Sequence, residues 1–425
     1  MKAIRVGICA LVTFSALAHG VVEAWSEAVL EIGAAALLVL WAVLAIRQRR
    51  MEIRWNPLGW PLLAFGGFVL LQYVARLSVY PYLTKIELLK LAAYLLLFFL
   101  MLETFRTQKE WQGFVWFLLV LGFAVSMFGI IQHFTFNGKL YWFREMRYGG
   151  IPFGPYVNRN HFAGLMELIA PQGLAVLLLR AVRRDQLPLV GLFTLLPIGA
   201  LFLSASRGGI VSFLVELGLL AIFIWTPRGG RKSLAAGAIV LLLAGVLVAW
   251  LGVGRALDRF AKFQSLEVSE ERRLVMIKDT WRIFLDHPLV GTGLGTLVSV
   301  YPRYESFYDG KVVDHAHNDY VETLAETGIV GGLCCLAFIV LLFRSALVNL
   351  RASYDSLDLA IHLGASVACV GLLAHGLADF NLHIPSNALL FFLLAALAST
   401  PIPPPENQHM QQDARVVLLG SQTVN

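Results

Sequence analysis

Charge is what this sequence has least of. Asp, Glu, Lys and Arg make up 15% of its 425 residues, against 58% hydrophobic residues. A soluble domain holds about a quarter charged residues. With mean hydropathy at +0.70, the apolar excess is more than a water-soluble core absorbs, but lipid accommodates it. Cysteine is also scarce. Cys9, Cys334, Cys335 and Cys369 all fall inside apolar stretches, which excludes a disulfide framework and a Cys-based metal site. No clear internal repeat of the kind common in transporters is present. The net charge of +6 is carried largely by short connections between apolar blocks, so nucleic-acid binding does not follow from it.

What the sequence has is long apolar runs. A bilayer core about 30 Å thick needs about 20 mostly apolar residues as helix. About twelve such blocks begin near Val6, Ala28, Leu58, Ile86, Trp111, Asn160, Leu187, Gly209, Ser233, Tyr320, Leu357 and Asn387. Their apolar residues lie all round the helix, as in spans surrounded by lipid or by other spans. The fold class expected is therefore all-α, a polytopic membrane bundle of about twelve transmembrane helices over residues 1–400.

Basic residues cluster in alternate connections: Lys2 and Arg5; Arg47, Arg49, Arg50 and Arg54; Arg106 and Lys109; Arg180, Arg183 and Arg184; Arg228, Arg231 and Lys232; Arg344 and Arg351. The positive-inside rule assigns these to the cytoplasm, with both termini there. Met1 to Gly20 has a basic start and a small-residue stretch, which resembles a secretory signal; an uncleaved first span is the expectation. The tail, 401–425, with Pro403, Pro404 and Pro405 and then polar residues, reads as a disordered cytoplasmic segment.

Two outer connections are long, and long loops are usually functional or disordered. Gln132 to Arg159 is rich in aromatics, including Phe134, Phe136, Tyr141, Trp142, Phe143, Tyr148, Phe153 and Tyr156, which suits a membrane interface or a sugar face. The larger, 254–318, is expected to be an inserted periplasmic loop. It contains an amphipathic helix from about Glu267 to Asp286, with Leu274, Ile277, Trp281 and Phe284 on its apolar face. That helix would roof a cavity.

The reactive residue types gather at outer helix ends. In Ser206-Arg207-Gly208-Gly209, an Arg on Gly-rich backbone offers a guanidinium fork and amides to a phosphate, or snorkels to the interface. Arg272 and Arg273 start the roofing helix and reach the cavity or solvent, depending on its roll. His315-Ala316-His317-Asn318-Asp319 stands where the large loop rejoins the membrane, and a His there can take a proton. A His-x-His metal pair needs further ligands, and no carboxylate or Cys cluster accompanies it beyond the scattered His161, His375 and His383; no metal and no cofactor are expected. Asn158-Arg159-Asn160-His161 provides a helix cap and, with it, candidate binding groups. Asp379, Asn381 and His383 lie in the connection before Pro385, either as turn residues or as ligands to a substrate. Gly291-Thr292-Gly293-Leu294-Gly295 is not a nucleotide loop, because no strand precedes it; a flexible turn approaching a substrate is expected instead.

From about Asn158 to Asn387 the sequence resembles the O-antigen ligase and polymerase superfamily, bacterial membrane proteins that move glycan from undecaprenyl pyrophosphate. Its ligases share a pattern of His, then Asn, Ser or Gln, nine residues, Gly, two residues and Gly, Thr or Tyr. Here His317 and Asn318 are followed by nine residues, Gly328, two more and Gly331. Ser206-Arg207-Gly208, the Arg-bearing helix before Pro288 and the Asp379-to-Pro385 stretch are similar as well.

The resemblance implies a metal-independent, inverting glycosyltransferase with a GT-C-like helical membrane fold. It works on the periplasmic side of the bacterial inner membrane, among membrane lipids. Arg207 and one of Arg272 and Arg273 would hold the donor diphosphate, and His317 would act on the acceptor hydroxyl. Ser206, Asn158, Asn160, His161, His315, Asn318, Asp379, Asn381 and His383 would complete the binding surface. The acceptor divides the reading: lipid A-core for a ligase in lipopolysaccharide biosynthesis, or a growing glycan for a polymerase. A transporter or lipid-linked glycan flippase is the reading from another class. Glu167, deep in the sixth block, is the charge that such a protein would use or that packing would pair.

Overall fold

The computed structural model describes residues 1–48, 53–145, 151–224, 270–308 and 310–404. Among these the chain is all-α: α1 (Lys2–Leu17), α2 (Ala24–Arg47), α3 (Gly59–Val74), α4 (Pro81–Thr104), α5 (Gln108–Phe134), α6 (Arg159–Leu178), α7 (Leu187–Ser204), α8 (Arg207–Ile224), α9 (Glu270–Asp286), the short α10 (Leu297–Val300), α11 (Asp319–Ala352), α12 (Ser356–His375) and α13 (Pro385–Ser399). Eleven of the twelve expected apolar blocks coincide with a described helix. The block from Ser233 lies outside the described residues, as do Arg49, Arg50, Tyr148, Arg228, Arg231, Lys232, the large loop from Gly254 through Glu267, and the tail from Pro405.

Six of these helices, the seventh preceded by its 3-10 turn, are long and apolar enough to cross a membrane: α2, α5, α6, α7, α11 and α12. Their burial separates a centre from a rim. The apolar stretch of α6 is 94% buried and that of α12 83%, against 17% for α2 and 22% for α11. The rim helices turn Ile32, Val39, Leu333 and Val340 outward, an apolar surface suited to lipid. Glu167, on α6, meets His375 of α12 at 2.9 Å with both side chains fully buried. The deep charge is thus paired inside the bundle.

Local chemistry sets the helix ends that matter. Asn158 caps α6 by accepting from Asn160 N–H, and Asn318 caps α11 by accepting from the amides of Tyr320 and Val321. Within α11 the helix breaks at Gly328, whose φ is +62°. A Cβ there would lie 2.3 Å from the carbonyl oxygen of Leu289, so only glycine fits. The segment 291–295 docks into this break. Thr292 and Gly293 amides donate to the carbonyls of Ala325 and Glu326, and the Glu326 carboxylate accepts from the amides of Gly295 and Leu297 at 2.8 Å. The close approaches of this glycine run are within the protein: Gly291 to the backbone of Glu326 and Thr327, Gly293 to Ser78 and Thr84, and Gly295 to Glu87.

Helix α9 is present, and its buried face matches the expected one only in part: Phe284 is buried as expected. Met276, Thr280 and Ile283 are buried together with Asp279, whereas Leu274 and Trp281 are exposed. Asp279 accepts from Ser306 N–H and Oγ–H at 2.9 Å and from Tyr301 Oη–H at 3.3 Å. Satisfying that buried carboxylate rolls the helix away from the pure apolar stripe.

Candidate active site

A cavity of about 950 Å³ opens at the end of the bundle where α6 and α11 begin. One wall is built from the first turn of α6, the loop before α11 and the connection between α12 and α13. It carries Asn158, Arg159, Asn160, His161, His315, His317 and His383, and α9 adds Arg273. Phe380 is the hub of this wall: His315 stacks on its ring at 4.2 Å, and His161 and His317 meet it edge-on at 4.9 and 5.0 Å.

His317 is held on two counts. Its Nδ1 lies 3.1 Å from Asp379 Oδ1, and the other carboxylate oxygen accepts from Asn160 Nδ2 at 2.6 Å. Its backbone sits in the left-handed region, φ +52°, which costs a non-glycine residue about 1–3 kcal/mol and is kept where the surroundings dictate it. Burial pushes the Asp379 carboxyl up, but the hydrogen bond with His317 and the nearby His161 and Arg273 outweigh it and hold it well below the carboxylate range. An ionised Asp379 fixes the Nδ1–H tautomer of His317 and leaves Nε2 as a proton acceptor.

A second imidazole group adjoins the first. His315 Nδ1 is 2.7 Å from Glu322 Oε1, His383 Nδ1 is 2.8 Å from Asp319 Oδ1, and His383 Nε2 faces Glu322 Oε1 at 3.4 Å. The free Glu322 oxygen accepts from Ala316 N–H at 2.8 Å. Burial lowers the basicity of His383, but Glu322 and Asp319 more than offset it, raising its pKa to about 10. His315 is raised in the same way, burial opposing and Glu322 prevailing.

The remaining expected residues do not line this cavity. Ser206 is buried and caps α8 through Gly209 N–H. Asn318 is spent on its cap and on Leu377 O, at 2.8 Å. Asn381 is fully buried, accepting from Asn387 Nδ2 at 2.9 Å. These three support the wall from behind. Asp379 likewise acts through His317. Arg207 opens α8 at the same end of the bundle, since a Cβ on the next residue, Gly208, would lie 2.7 Å from the His375 ring, but it is exposed and absent from the cavity lining. Of the two arginines on α9, Arg273 lines the cavity and donates to Ala378 O at 3.1 Å; Arg272 is not among the lining residues.

Of the opposite wall, only the aromatic loop is marked by the sequence. That wall comes from α2, α4 and the aromatic loop, with Glu23, Trp25, Glu27, Glu87, Lys90 and Arg144. Lys90 Nζ lies 2.5 Å from Glu87 and 3.5 Å from Glu27. Arg144 pairs with Glu23 and His19. Glu87 and Lys90 are one turn apart on α4, a spacing visible in the sequence, but nothing there marks them as facing a cavity. Asp319 and Glu322 are spaced in the same way, and they are the carboxylates that the sequence argument against a metal pair had found missing.

Residues 192–336 match the family model described as O-Antigen ligase. The matched segment belongs to the O-antigen ligase and polymerase superfamily. It includes Arg207, Arg273, His315 and His317 but neither the first turn of α6 nor the connection bearing Asp379 and His383. No curated protein matches the chain. Family and architecture together describe a membrane enzyme of the glycosyltransferase type.

Proposed function

We propose that the chain is an O-antigen ligase, transferring glycan from undecaprenyl pyrophosphate to a lipid A-core hydroxyl at the periplasmic face of the inner membrane. The observation that carries this reading is His317, held by Asp379 in a cavity that Arg273 also lines. In the step proposed, the acceptor oxygen attacks the anomeric carbon as its proton passes to His317 Nε2. The bond from that carbon to the diphosphate oxygen breaks, with inversion. Charge growing on the leaving diphosphate is met by Arg273, and this reading gives the same task to Arg207, which opens α8 at that end of the bundle. Guanidinium groups suffice for that task, so the step needs no metal ion.

The topology in this reading has twelve spans over 1–400, both termini in the cytoplasm, a periplasmic insertion at 254–318 and a cytoplasmic tail, 401–425. Alternate basic connections support it. A polymerase is the second reading. It is favoured by the far wall, where Glu23, Glu27 and Glu87, ion-paired with Arg144 and Lys90, can hydrogen-bond the hydroxyls of a neutral glycan end.

The test is donor turnover by purified Arg207→Ala and His317→Asn proteins in lipid, offered each acceptor class. Loss in both supports the assignment. Wild-type rates in both, with the fold intact, overturn it, and product on only one acceptor class separates ligase from polymerase.

A further inference from the structure

The geometry points to a divalent transition-metal site formed by His315, Glu322 and His383, with zinc as the ion that best fits its donors. One ligand atom from each of His315, Glu322 and His383 lies within 4.8 Å of those of the other two. In a tetrahedral site with bonds of about 2.0–2.1 Å, neighbouring donor atoms are about 3.3–3.4 Å apart. The His383–Glu322 edge is already 3.4 Å and the His315–Glu322 edge is 2.7 Å, with the third edge within 4.8 Å, so an opening of the short edge and an adjustment of the His315–His383 edge seat an ion. Two imidazoles and one carboxylate are a common zinc donor set, one that leaves a fourth position for an outside oxygen.

The surroundings of these donors strengthen the inference beyond the three atoms. Metal-bound His usually donates its other ring N–H to a carboxylate, and ligating carboxylates are themselves hydrogen-bonded. Here His383 Nδ1 is 2.8 Å from Asp319, and the second Glu322 oxygen accepts from Ala316 N–H. Phe380 fixes the plane of the His315 ring by stacking. His315 and His383 both line the cavity, so the fourth position faces the space in which the substrate would lie. The ion would tie the loop before α11 to the connection before α13, stiffening the frame around His317 without entering the transfer step.

The experiment uses the full-length protein in lipid nanodiscs, stripped with chelator, reloaded with Zn²⁺ or Co²⁺ and desalted. Expected are about one equivalent of zinc per chain, a rise in Tm on loading, and visible Co²⁺ bands of a four- or five-coordinate ion. His383→Gln should lose the metal and the Tm rise, and Asp319→Asn should weaken binding about 10–100-fold. A loaded wild type with far less than one equivalent and an unchanged Tm overturns the site, as does a His383→Gln protein that binds as the wild type does. Should His383→Gln fail to fold, Glu322→Gln and the wild-type Co²⁺ spectrum decide, an octahedral spectrum overturning the assignment. Donor turnover by the stripped protein is read separately. Its persistence keeps the proposed transfer whether or not the metal site survives.

Discussion

The two walls of the cavity are made by different parts of the chain and carry different chemistry. The wall from α6, α9, α11 and the connection before α13 presents imidazoles and guanidinium groups; the wall from α2, α4 and the aromatic loop presents Glu27 and Glu87 around Lys90 and Glu23 paired with Arg144, with the indole of Trp25 in the same lining. A diphosphate is drawn to the Arg273 guanidinium on the first, whereas sugar hydroxyls and ring faces suit the ion-paired carboxylates and the indole of the second. The family match covers part of the first wall and none of the second. Shared donor chemistry and chain-specific acceptor chemistry would divide along that line.

The contrast can be broken by substitution. Asp379→Asn should have the largest effect, lowering kcat on the order of 10³–10⁴-fold if His317 loses its tautomer as the base of a Ser-His-Asp triad does. Substrate binding should persist, and an unchanged kcat would remove His317 from the chemistry. Arg273→Ala should lower donor turnover about 10²–10³-fold, the typical cost of one donor to a developing oxyanion. Arg272→Ala should cost far less, and equal losses would mean that the lining of the cavity does not mark the diphosphate side. Glu87→Gln, on the opposite wall, should raise acceptor KM about tenfold at most and leave donor KM alone. A change in donor KM instead would merge the two walls into one subsite.

Much of the scaffold was legible because bilayer thickness imposes a length on each apolar run, and α1 to α8 and α11 to α13 follow from it. Gly328 stands in the family pattern, but the break there is not legible in the sequence, because its cause, the backbone of Leu289, is remote. The site was legible as residue types but not as pairs. His317 and Asp379 are 62 positions apart, and nothing local to either announces the other. The face of α9 was misjudged because apolar spacing says nothing of a buried carboxylate, and Asp279 outweighs Leu274 in setting the roll. Ser206, Asn318 and Asn381 read as ligands because polar residues at helix ends look alike, whether they bind a substrate or close a turn.

The backbone of His317 has a practical consequence. Its φ of +52° is tolerated by few side chains, Asn and Asp foremost, and is poorly tolerated by β-branched ones. An inert copy meant for trapping the loaded enzyme by cryo-microscopy should therefore carry Asn at this position. Valine would disturb the loop as well as delete the base, and its silence would say little about chemistry.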